Sequence, residues 1–131
     1  MPRQVTPFLM FEGQAEEAMR FYVSVVPNSS VIDVQRYSED GQAPEGTVMK
    51  GEFSIGGQRV LCTDSFVKHD FTFTPASSLF VDCSSEEELD MLVDELGAKG
   101  KVLMPPGDYG FSRKFAWLND RFGVSWQLNL Q

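Results

Sequence analysis

At 131 residues, 42% of them hydrophobic, the chain is long enough for one domain with a real core and too short for two independent ones. Eleven basic residues against nineteen acidic give a formal net charge of −8, which repels a nucleic-acid backbone and an anionic membrane surface alike, so neither is an expected partner. No run approaches the ~18 consecutive apolar residues of a membrane helix, the start MPRQVTPFLMF lacks a secretory pattern, and Cys62 and Cys83 fall in neither metal nor redox spacing, so a cytoplasmic protein with two buried, reduced thiols is expected.

The first predicted element is a strand, Val5 to Phe11. Ala15, Ala18, Met19, Tyr22, Val25 and Val26 then recur along one stripe, which predicts a helix at about 14–26 that Pro27 terminates. Strands follow at Val31 to Tyr37, Thr47 to Ile55 and Gln58 to Thr63, the last two joined by IGGQ, a two-residue hairpin signal. A further strand, Ser78 to Asp82, precedes a helix at about 85–97 whose stripe is Leu89, Leu92, Val93 and Leu96, with Ser84 or Ser85 as its cap and Gly97 closing it. The acidic run SSEEELD reads as the capped, solvated start of that helix rather than a docking patch. Strands at Val102 to Met104, Arg113 to Leu118 and Val124 to Leu130 complete the chain.

The two halves repeat one order, strand, helix and three strands. Leu9 and Phe11 in TPFLMF match Leu79 and Val81 in ASSLFV, and GGQRVL matches FGVSWQ. The expected architecture is α+β: one domain over 1–131 built from two βαβββ modules, about 5–65 and 76–130, with each one-faced helix lying on a sheet.

This duplication, with TPFLMFEGQAEEAMRFYVSVVPNS early, GTVMKGEFSIGGQRVL in the middle and WLNDRFGVSWQL at the end, resembles the PhnB-like branch of the vicinal oxygen chelate superfamily, the glyoxalase, bleomycin-resistance and extradiol dioxygenase group. The resemblance covers essentially the whole chain. It implies a curled, incomplete mixed-sheet barrel with helices outside, a small-molecule cavity inside and a homodimer. Relatives of this branch are often labelled demethylubiquinone methyltransferase-like. The sequence, however, has no glycine-rich strand-to-helix turn of the kind that holds a dinucleotide-like cofactor, and no cofactor is expected.

Strict alternation in VSWQLNL puts Val124, Trp126, Leu128 and Leu130 on the helix-covered face and Ser125, Gln127 and Asn129 on the other, which the resemblance makes a cavity face. The same parity assigns Thr6, Phe8, Met10, Arg59, Leu61, Ser78 and Phe80 to ligand contact. In metal-using members the resemblance implies a glutamate at the place of Gln127 and a histidine three residues before each matched leucine. Here those places hold Thr6, Ala76 and Gln127, with Leu61 at the middle strand, and a one-residue shift offers only Ser77 and Cys62. Neutral amides and hydroxyls do not balance a divalent charge as carboxylates do, so no metal is expected.

His69, the sole histidine, is the candidate catalytic residue, with Asp70 to orient it. The plain alternative is a linker histidine beside Phe66, Phe71 and Phe73. The loop MPPGDYGFSRKF offers Tyr109 as a ligand contact and Arg113 and Lys114 as cations, or is an ordinary connector. Arg59 needs an anionic partner if it points inward, and Trp117 and Trp126 read as core. Three functions stay open. One is a metal-independent PhnB-like protein or enzyme with an apolar, hydrogen-bonding cavity. The others are a metal-dependent lyase, isomerase or dioxygenase, and a non-catalytic drug or metabolite sequestration protein.

Overall fold

The computed structural model describes residues 3–131 and divides the chain into two compact units, one ending at His69 and the other beginning at Asp70. The first contains β1 (Phe8–Phe11), α1 (Ala15–Val25), β2 (Ser30–Arg36), β3 (Val48–Ile55) and β4 (Gln58–Asp64). The second contains β5 (Ser78–Asp82), α2 (Glu86–Gly97), β6 (Lys101–Gly107), β7 (Lys114–Asn119) and β8 (Ser125–Leu130). Their sheets have the same topology, β1-β4-β3-β2 and β5-β8-β7-β6, with a parallel first pair and antiparallel others. The architecture is thus two βαβββ modules in two four-stranded mixed sheets, with no closed barrel.

Each core lies between the helix stripe and one sheet face. Ala15, Ala18, Met19 and Tyr22 of α1 are fully buried, with Phe53, Val60 and Cys62 in the sheet beneath. That packing has no room to spare: a Cβ at Gly51 would sit 2.7 Å from the Cys62 sulfur, so only glycine fits. In the second module Leu89, Leu92 and Leu96 of α2 and Ala116, Leu118, Trp126 and Leu128 of the sheet are buried. The full burial of a large apolar side chain stabilises by roughly 1.5–3 kcal/mol, so these faces set which side of each sheet is covered.

The hairpin IGGQ forms as expected, with Gly56 and Gly57 at φ of 56° and 90°. Several strand ends shift by one residue, and three boundaries differ in kind. Gly97 is the last helical residue of α2 rather than its stop, and Lys99, at φ 63°, takes the left-handed conformation. β6 runs on through Pro105 and Pro106 because it is an edge strand, where a missing N–H costs no ladder bond. β1 begins at Phe8 rather than Val5.

Register also corrects the internal match. Counted back from the hairpin turns, Cys62 and Leu128 are equivalent, and their parallel partners are Leu9 and Val81. Leu9 therefore corresponds to Val81, two residues beyond Leu79. Parity survives the change, but Ser78, not Ala76, is the equivalent of Thr6. The remaining equivalent pairs on the open faces are Phe8 with Phe80, Leu61 with Gln127, Arg59 with Ser125 and Glu52 with Trp117.

Candidate functional site

Both strand-to-helix junctions are closed by the chain's own carboxylates. Gln14 provides no side-chain cap for α1. Instead Asp64, 2% exposed, accepts from the backbone N–H of Gly13 and Ala15 on one oxygen and of Val48 on the other, tying the helix start to β3 and β4. The α2 start is capped by Ser85, which accepts from Glu88 N, while Glu88 accepts from Ser84 N. In the second hairpin Asp120 accepts from the N–H of Phe122 and Val124 and from the Trp126 indole.

The open face of the first sheet is ionic. Arg59 donates to Glu52 at 2.5 Å, to Thr6 Oγ1 at 3.0 Å and to Gln4 Oε1 at 2.9 Å. The bond from Arg59 holds the Glu52 carboxyl below its usual range, and Glu52 in turn pushes Arg59 up. Arg59 thus has the anionic partner that an inward position requires. Leu61 and Met10 are half-buried on this face and Phe8 is 60% exposed.

The open face of the second sheet is neutral. Phe80, 56% exposed, pairs with Gln127, which pairs with Trp117, which pairs with Met104. The Trp117 indole N–H donates to Ser125 Oγ at 2.8 Å, the Ser125 and Ser78 hydroxyls are 2.6 Å apart, and Gln127 Nε2 donates to Ser78 Oγ at 3.3 Å. Ser125 and Asn129 are buried, and Asn129 donates to Asp82. At one end of the face Tyr109 and Phe111 stand edge-on to Phe115, with the Tyr109 hydroxyl donating to Pro105 O.

The sequence-predicted residues therefore divide. Thr6, Phe8, Met10, Arg59 and Leu61 lie in the first module, and Ser78, Phe80, Ser125, Gln127 and Asn129 come together on the second, with Tyr109 in the loop after β6. His69 ends the first unit, after β4. Its Nε2 is 2.9 Å from Ser65 Oγ and its backbone N–H reaches Glu12, beside a pocket of about 220 Å³ lined by Glu12, Thr47, Asp64, Ser65, Phe66 and Lys68 among others. Lys114 is not a cavity cation: it pairs with Asp90 and Glu86 of α2 on the covered side. Trp117 is not core: it is half-buried on the open face, whereas Trp126 is 1% exposed. The parity of KFAWLN, with Ala116 and Leu118 under the helix, carried that signal.

The profile of the 3-demethylubiquinone-9 3-methyltransferase family matches residues 3–129. The chain belongs to this family. It is similar to a solved Bacillus cereus structure described as a putative 3-demethylubiquinone-9 3-methyltransferase, PhnB protein, at 53% identity, 98% coverage of this chain, full coverage of that one and a TM-score of 0.95. The curated protein YjdN of Escherichia coli K12 is 22% identical over 96% of this chain and 94% of its own. FosX, a fosfomycin resistance protein of Listeria monocytogenes solved with manganese(II), shares the fold alone, at 12% identity, 98% and 93% coverage and a TM-score of 0.64. The PhnB-like resemblance and the vicinal oxygen chelate fold are thus established.

The residues present fit neither a divalent ion nor a phosphate-bearing cofactor. A divalent ion needs charged or imidazole donors, and Thr6, Leu61, Ser78 and Gln127 supply none. Among the described residues no group of three or more His, Cys, Asp or Glu could hold a metal. A phosphate-bearing cofactor at a helix start needs free N–H groups, and Asp64 takes those of Gly13 and Ala15 while three glutamates crowd the first turn of α2.

Proposed function

We propose that the protein binds a small, neutral, largely planar molecule on the open face of its second sheet, without a metal. One observation carries this reading: Phe80, an aromatic ring 56% exposed, is the backbone partner of Gln127, whose Nε2 is committed to Ser78 while its Oε1 accepts nothing from any described residue. An exposed ring beside an unfilled amide acceptor suits a ligand that stacks and donates. Trp117 and Met104 extend the apolar floor. The charge of −8 disfavours an anion, and the family description, which names a quinone-related substrate, points to a neutral ring. Methyl transfer is not part of the proposal, which concerns binding alone.

Titrating a panel of neutral aromatic compounds and following tryptophan fluorescence tests the reading. Quenching is expected in the wild type and not in Trp117→Phe, where Trp126 remains as a buried reference. Equal quenching in both proteins, or none in either, refutes it. Product formation from the bound compound then separates an enzyme from a sequestration protein. The chain is further proposed to pair as a homodimer, since β1, β2, β5 and β6 all end their sheets and an open edge invites pairing. Light scattering that gives 14.7 kDa at micromolar concentration contradicts this.

A further inference from the structure

The proposed ligand face contains a hydrogen-bond chain whose direction follows from burial and from the orientation of the Gln127 amide. Ser125 and Ser78 face each other at 2.6 Å, and either hydroxyl could donate. Ser125 Oγ already accepts from the Trp117 indole, which can only donate. If Ser78 also donated to Ser125, the Ser125 proton would need another acceptor, yet Ser125 is 1% exposed. The nearby amide oxygen on its cross-strand neighbour, Asn119 Oδ1, is buried and accepts from no described residue, so the proton does not go there. A buried donor without a partner carries its full desolvation penalty. Ser125 therefore donates to Ser78.

Ser78 Oγ then accepts twice, from Ser125 and from Gln127 Nε2 at 3.3 Å. The structure orients the amide with its nitrogen towards Ser78, which makes Gln127 the donor of this second bond. With both acceptor positions filled, the Ser78 proton is left over on a half-buried side chain beside Phe80.

We infer that Ser78 is a ligand-contacting donor, set by the relay Trp117 to Ser125 to Ser78, and that it receives an acceptor oxygen, a carbonyl or phenolic oxygen, on the aromatic ligand. The inference rests on the ligand face proposed above and adds its chemistry. Bonds along such a chain polarise one another, so the terminal hydroxyl is a stronger donor than an isolated serine. Ser125 and Trp117 are positioning residues that act through Ser78. Gln127 Oε1 lies beside this donor, so the face presents one donor and one acceptor. Oxygen-bearing aromatics fit it, and hydrocarbons of the same shape do not.

The test uses two probes of nearly equal shape, acetophenone and isopropylbenzene, at millimolar concentration with the full-length protein. Affinity is read by ligand-observed NMR and the carbonyl environment by the infrared C=O band. The wild type is expected to prefer acetophenone about fivefold, with the band shifted below its position in aprotic solvent. Ser78→Ala should abolish the preference and the shift, Ser78→Thr should restore both, and Ser125→Ala should retain binding with a smaller shift. Equal affinity for the two probes, unchanged in Ser78→Ala, overturns the relay and leaves the ligand face standing. Failure of both probes to perturb Trp117 or Phe80 overturns the face and the relay together. Should Ser78→Ala not fold, a wild-type band at its aprotic position is sufficient to overturn the inference.

Discussion

The two modules place different chemistry on the same backbone. At equivalent positions the first has Thr6, Arg59, Leu61 and Glu52, and the second has Ser78, Ser125, Gln127 and Trp117. In the first the arginine spends its donors on Glu52, Thr6 and Gln4, an ion pair closed on itself. In the second the polar groups chain towards a half-buried serine and an amide with an unused oxygen, next to an exposed ring. Topology and register are shared, so the difference lies wholly in side chains that face away from the helices. The covered faces are constrained by packing, and the open faces are where the copies were free to diverge.

The largest expected effect falls on what the modules share, a buried carboxylate that ends chain segments. Asp64→Ala leaves the N–H groups of Gly13, Ala15 and Val48 without their acceptor and should cost about 4 kcal/mol in urea unfolding, and Asp120→Ala somewhat less, because the loop at Phe122 can reach water. A loss below about 1 kcal/mol at Asp64 breaks the claim that it holds α1 in place.

The thiols give the next contrast. Burial pushes Cys62 from an ordinary 9.0 up to about 12 and Cys83 up to about 11. A raised folded-state pKa means stability is undiminished below pH 9 and falls as pH climbs towards those values, where only the unfolded thiol ionises. Disulfide-exchange reagents at pH 8 should therefore find both thiols silent in the native protein and fully reactive in urea, and fast native labelling of either one contradicts its burial.

On the second face, Gln127→Leu should weaken binding of a neutral aromatic ligand by about 1–3 kcal/mol with little change in the urea midpoint, whereas Leu61→Gln, at the equivalent place, should leave binding unchanged. Equal effects from both substitutions erase the distinction between the modules. The smallest effect concerns Glu52. Its carboxyl is depressed by Arg59, so the pair contributes above the ordinary carboxylate range and that contribution disappears as pH falls through the lowered value. Glu52→Gln should flatten this acid limb slightly and leave neutral-pH binding intact, as thermal melts across pH 3–6 would show.

Much of this was legible in the sequence because it was periodic. The stripes Ala15–Met19–Tyr22 and Leu89–Leu92–Leu96 fixed both helices, IGGQ fixed the first hairpin, and alternation in VSWQLNL put Gln127 and Ser125 on the uncovered side. What pattern could not supply was partnership across distance. The cap of α1 comes from Asp64, 49 residues beyond Ala15, and nothing near Gln14 announces it. Glu52 was hidden as Arg59's partner because only the β3–β4 register brings them together. Lys114 follows Arg113 in the chain, yet strand parity turns it under α2. The match of Leu9 with Leu79 looked right by letters and was two residues out by pairing, a shift that preserves parity and so leaves no trace in alternation.

The central claim, that the second module's open face takes the ligand, is tested most directly by amide and indole chemical-shift mapping during titration with a neutral aromatic compound. The account predicts perturbations concentrated at Ser78, Phe80, Gln127 and the Trp117 indole, with the Trp126 indole unmoved. Perturbations centred on Arg59 and Glu52, or on the pocket beside Ser65 and His69, would contradict it.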